Sequence, residues 1–169
     1  MAELVWTSAR KQAREILDNY WHEGVFPVPV ITISNALGVE TFQAPLPRGL
    51  SGMIIKDGDS QDDARAYADS SESRERRRFT YAHELGHFIE RTLIAKDEKF
   101  SFEDHRDRDH YDLHEFYADE FAGALLMPEE DIKEQLGRKV NIYALTKRYG
   151  VSLSAVEKRI KRLKKTRVI

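Results

Sequence analysis

Two histidines four residues apart, His83 and His87, with Glu84 directly after the first, stand in the stretch "FTYAHELGHFIERT" at residues 79–92. On an α-helix, positions four apart share one face, one turn above the other. Both imidazoles can then aim at a single point, with Glu84 displaced to the side. Neutral imidazole is a good donor to zinc, and a zinc ion with three protein ligands keeps a position for water. Such an ion lowers the pKa of its water to about 7, and a carboxylate alongside can take the proton.

A competing reading is a plain helix whose two histidines face solvent or the core. The neighbours argue against it: Thr80, Tyr81, Ala82, Leu85, Gly86, Phe88 and Ile89 are uncharged in a chain that is 33% charged. Gly86 costs a helix up to about 1 kcal/mol relative to alanine, which makes sense if substrate or another helix approaches the backbone there. The chemistry expected is that of the HExxH metalloproteases, with Glu84 as general base.

A third ligand is required, and with no cysteine in the chain it must be His, Asp or Glu. A pattern with a third histidine at position 93 is excluded by Leu93. Downstream, "HEFYADEFAGALLMP" offers Glu115 and, one turn later, Asp119. That spacing suits a glutamate on the metal and an aspartate accepting the outer N–H of a ligating histidine, which fixes its tautomer. His114 is the rival ligand and Glu120 a weaker one. Zinc is the expected ion and Mn²⁺ the second choice, since a His₂-carboxylate site admits both. A hydrolase also needs a group for the developing oxyanion, and Tyr81, His105, His110, Tyr111 and Tyr117 are available.

The runs "RRRFTYAHELGHFI" and "EFYADEFAGALLMP" together resemble the ImmA/IrrE family of metallo-endopeptidases, and Arg78 to His87 is the most specific part. The similarity extends more loosely from "VPVITISNALGVE" through "ARAY" to the basic end. Family members typically carry Asn where this chain has Asp119, and either residue offers an acceptor oxygen. The resemblance implies His83, His87 and Glu115 as zinc ligands, Glu84 as general base, and a zincin-like peptidase domain. It also implies a protein substrate, a helix-turn-helix transcriptional repressor or an antitoxin. The length favours the shorter, ImmA-like organisation without a GAF-like extension.

The elements that must position these residues are read from periodicity. Residues 3–22 predict a first helix and "VFPVPV" an extended break. "ITISNALGVE" predicts a short helix ended by Gly38. Strands around Gly52 to Lys56 and in "ARAYAD" predict a small antiparallel sheet. A long helix with a Ser-rich start carries His83 and His87. Residues 96–112, highly charged, read as a loop. A helix through "LHEFYADEFAGALLM" follows, and Pro128 opens another. The fold expected is α+β and mostly helical, with a peptidase domain at 1–136. A basic helix-turn-helix-like segment at 137–169 packs on it.

Charge divides along the same line. From Asn141 onward, nine Lys and Arg face Glu157 alone, a net +8, while residues 1–140 hold 18 basic and 28 acidic residues, a net −10. In the last helix Lys158, Arg159, Lys161, Arg162, Lys164 and Lys165 are expected to be exposed. Packing on the body is the preferred role of that segment; phosphate contact with DNA is possible but not favoured. The opening residues are charged and helix-periodic, unlike a signal peptide, and no apolar run reaches bilayer-spanning length. With the absence of cysteine, these features point to a cytoplasmic protein with no membrane partner. The alternative function is a DNA-binding regulator whose metal site is structural or vestigial.

Overall fold

The computed structural model describes residues 3–58, 63–105 and 111–169. Helix α1, Val5–Tyr20, buries Ala9, Ala13, Ile16 and Leu17, the three- and four-residue spacing of a single apolar face. Helix α2, Val30–Ala36, is short, and Gly38 after it takes a φ of 85°, a conformation that favours glycine. Strand β1, Val39–Ala44, follows at once.

Strands β2, Leu50–Lys56, and β3, Ala64–Asp69, pair antiparallel, with Gly52 opposite Ala68 and Lys56 opposite Ala64. These are the expected strands, but they are half of the sheet. Its order is β1-β3-β2-β4, where β4 is Phe100–His105. The sheet is mixed rather than wholly antiparallel: β1 runs parallel to β3, because two reversals of direction bring β3 back along β1. The stretch expected as a charged loop therefore contains the edge strand β4, which pairs antiparallel with β2.

Helix α3, Arg74–Ile89, begins at Ser73, whose hydroxyl accepts from Arg76 N, and continues into a π-helical segment, Glu90–Ala95. Helix α4, Leu113–Leu126, is capped by Asp112, which accepts from the backbone N–H of His114 and Glu115. Its residues from Tyr117 to Leu126 are all buried, because α4 runs between α1 and α3. The close approach of α3 and α4 is at Gly86, where a Cβ would stand 2.9 Å from Ala118 Cα. Of the two reasons considered for that glycine, a neighbouring helix is the one observed.

Helices α5, Glu129–Gly137, α6, Ile142–Tyr149, and α7, Leu153–Lys165, complete the chain. The turn between α6 and α7 is made by Gly150 at φ 61°, and Ser152 caps α7 by accepting from Ala155 N at 3.2 Å. Leu145, Tyr149, Val151, Val156 and Leu163 of this segment join the same hydrophobic cluster as Leu85 and Phe121. Arg78 of α3 fastens the turn: its Nε donates to Gly150 O at 3.1 Å and its Nη2 to Val28 O at 2.9 Å. Among the described residues, no helix is long and apolar enough to cross a membrane.

Candidate metal centre

His83 and His87 project from the same face of α3, and both are almost wholly buried. Glu115 reaches them from the first turn of α4. Its Oε2 lies 3.2 Å from His83 Nε2 and its Oε1 lies 3.1 Å from His87 Nε2, while the two Nε2 atoms are 3.1 Å apart. Ligands about 2.0–2.1 Å from a tetrahedral ion stand about 3.3 Å from one another. The three donors fit such an ion, and their chemistry, two imidazoles and a carboxylate, suits a divalent metal.

Glu84 is fully buried beside this group, and neither carboxylate oxygen has a hydrogen-bond partner among the described residues. Gly52 of β2 makes room for it: a Cβ there would meet Glu84 Oε1 at 2.9 Å. Burial pushes the Glu84 carboxyl well above its ordinary value, with Asp104 and Glu115 adding to the rise against the opposing effect of His83.

Asp119 lies one turn past Glu115 on α4, and its Oδ1 is 3.1 Å from His83 Nδ1. Its Oδ2 accepts from Lys158 Nζ at 2.9 Å and Tyr111 Oη at 3.2 Å. The carboxyl is held well below the usual range: burial opposes this, but His83 and Lys158 outweigh it. For His83 burial disfavours the charged form, yet the hydrogen bonds with Asp119 and Glu115 prevail and raise its pKa well above the ordinary value. Burial instead brings His87 down to about 4, which keeps that ring neutral and able to donate a lone pair. Glu115, pushed up by burial, is brought down further by both histidines, to about 2.

Four of the other candidates, His114, Glu120, Tyr81 and His105, are occupied elsewhere. His114 turns away, its Nδ1 2.9 Å from Glu90 Oε1 and its Nε2 3.2 Å from Arg91 Nη2. Glu120 accepts from Arg10 Nε at 3.0 Å and Arg162 Nη1 at 3.4 Å. Tyr81 donates to Phe42 O at 2.9 Å, and His105 Nε2 lies 3.2 Å from Glu103 Oε2. Tyr111 is joined to the centre through Asp119, Tyr117 is buried on α4, and His110 lies outside the described residues.

Strand β4 supplies residues that sequence reasoning missed. The Phe102 ring stacks on His87, with centroids 4.2 Å apart and planes 4° apart. Asp104, two residues on and so on the same face, feels His83, Glu115 and Asp119 electrostatically, and burial raises its pKa. The signal was the alternation of Phe100, Phe102 and Asp104 with Ser101, Glu103 and His105, a two-residue period inside a charged stretch.

An HExxH helix joined by a carboxylate from a second helix, against a small mixed sheet, defines a metallopeptidase-like fold. The match to known families agrees. The chain belongs to the M78 peptidase family, whose IrrE N-terminal-like domain covers residues 54–161. None of the curated proteins is a significant match. Among solved structures, a Mycobacterium tuberculosis transcriptional regulator shares the fold with a TM-score of 0.57 and 18% identity. The alignment covers 90% of this chain and 45% of the regulator, so the chain spans less than half of that protein's length.

Proposed function

We propose that the chain is a zinc-dependent endopeptidase that cleaves a cytoplasmic regulatory protein, a helix-turn-helix repressor or an antitoxin. The observation that carries this reading is the pairing of a three-donor group, His83, His87 and Glu115, with a buried carboxylate left unpartnered beside it, Glu84. A structural metal has no use for such a carboxylate, whose burial without a partner is costly. Zinc, when bound by the three donors, supplies a Lewis acid and lowers the pKa of water.

The remaining work falls to the chain's own groups. Glu84 takes a proton from the attacking water on one carboxylate oxygen and returns it to the leaving nitrogen as the peptide bond breaks. Burial raises the pKa of this carboxyl, and the charge of a bound divalent ion would lower it again, toward the ionised form that a base requires. Asp119 holds Nδ1 of His83 so that Nε2 faces the donor group. Strand β4 ends the sheet beside this group, and its outer edge suits an extended substrate segment bound by backbone hydrogen bonds.

The DNA-binding alternative is less well supported. Arg159, expected on the surface, is 2% exposed, and Lys158 and Arg162 are engaged with Asp119 and Glu120. Burial of Arg159 follows from its place on the inward face of α7, between Val156 and Leu163. Lys161, Lys164 and Lys165 remain on the surface. The test is to express native protein and E84Q in parallel and map new protein N-termini in the cell. Cleavage products present with the native chain and missing with E84Q support the peptidase. Identical sets of termini contradict it.

A further inference from the structure

We propose that a cavity between α1, α4, α5 and α7, distinct from the metal centre, binds a small organic monocarboxylate through Arg159. The cavity measures about 470 Å³ and has Leu17, Trp21, Ala124, Pro128 and Arg159 among its lining. Its size is within the range of small-molecule sites, about 300–1,000 Å³. Ala124 lies about 13 Å along α4 from Glu115, at about 1.5 Å per residue, so the two sites do not share their contents.

Arg159 is the reason to expect a ligand. It is 2% exposed, and Nε, Nη1 and Nη2 all lack a hydrogen-bond partner among the described residues. Burial lowers its pKa to about 10, with Glu120 and Glu129 working against that fall, so the guanidinium is charged at neutral pH. Glu120, the acid that acts on it most strongly, is already used: its Oε2 is 2.9 Å from Arg10 Nη2, and its Oε1 accepts from Arg162. Buried guanidinium groups are ordinarily paired, and the planar fork of N–H donors matches a carboxylate bidentately. Gly123 leaves room for the stem, whose Cδ is 3.4 Å from where a Cβ would stand.

The rest of the lining narrows the ligand. The apolar side chains and the Trp21 indole suit a hydrocarbon or single-ring body. Asp18, Glu129 and Glu130 balance Arg10, Arg14 and Arg159 along the same cavity, and Arg10 is already paired with Glu120. With its charges balanced in this way, the lining suits a monoanion held by the Arg159 fork better than a phosphate ester with its higher charge.

Trp21 lines the cavity and Trp6 is the other tryptophan of the chain, so W6F makes Trp21 the sole indole reporter. In that background, phenylacetate, benzoate, hexanoate and inorganic phosphate are titrated at constant ionic strength while Trp21 fluorescence is followed. The expected result is a saturable change with at least one of the carboxylates, weakened about tenfold or more by R159M. A124L fills the cavity while leaving the guanidinium intact, and it should abolish the response even if R159M fails to fold. The proposal is overturned by no saturable response to any of the three acids, by undiminished affinity in a folded R159M or A124L protein, or by tighter binding of phosphate than of every carboxylate.

Discussion

Asp119 Oδ1 lies 3.1 Å from His83 Nδ1, while its Oδ2 is 2.9 Å from Lys158 of the basic last helix. The carboxylate therefore joins the group of His83, His87 and Glu115 to the C-terminal segment. One oxygen holds Nδ1 of His83 and the other anchors α7.

Removing that carboxylate should weaken the metal site without removing a ligand. D119A is expected to lower metal affinity about 10- to 100-fold, measured by competition with a chromogenic chelator. D119N keeps an acceptor for His83 and should lose less. Equal losses in both variants would assign the role of Asp119 to its charge rather than its hydrogen bond.

Gly86 tests how the two central helices set the ligand geometry. A Cβ there would press on Ala118 backbone, with its Cα at 2.9 Å and its O at 3.2 Å. G86A gains up to about 1 kcal/mol of helix propensity, yet overpacking of about 1–3 kcal/mol should outweigh it. Denaturant unfolding of the metal-free protein should show net destabilisation, and metal affinity should fall as Glu115 moves from His83 and His87. A stabilised G86A protein would contradict the packing described.

Much of this centre was legible in the sequence, for definite reasons. His83, Glu84 and His87 share a local helical spacing, and Glu115 and Asp119 share another, so each half follows from 3.6-residue periodicity. Joining the halves requires a long-range contact at Gly86 and Ala118, which periodicity cannot express but the family resemblance supplied. Strand β4 was hidden because Glu103, Asp104 and His105 made the stretch look like a solvated loop, while Asp104 faces the centre. Strand β1 has a single fully buried residue, Val39, and offers little alternation to read. The burial of Arg159 was invisible because arginine marks a surface by default.

Asp131 gives the pH dependence of the C-terminal segment. It accepts from Arg148 Nη2 at 2.6 Å and from the buried Tyr149 hydroxyl at 2.8 Å. Burial alone would raise its pKa, but these hydrogen bonds prevail and lower it. A carboxylate with a lowered folded pKa stabilises above its unfolded value, and the contribution is lost as pH falls through the folded one. D131N should therefore cost about 1–3 kcal/mol at neutral pH. The difference from native should shrink below about pH 4. Urea unfolding at pH 7 and pH 3 measures both, and a difference that grew on acidification would contradict the assignment.

The most direct test of the account is metal content by mass spectrometry on native protein, H83A, E115A and E84Q, each purified without chelator and supplemented with zinc. The account predicts one zinc per chain in the native protein and in E84Q, and loss of zinc in H83A and E115A. A native protein that takes up no metal, or an E115A variant that holds zinc as tightly as native, would contradict it.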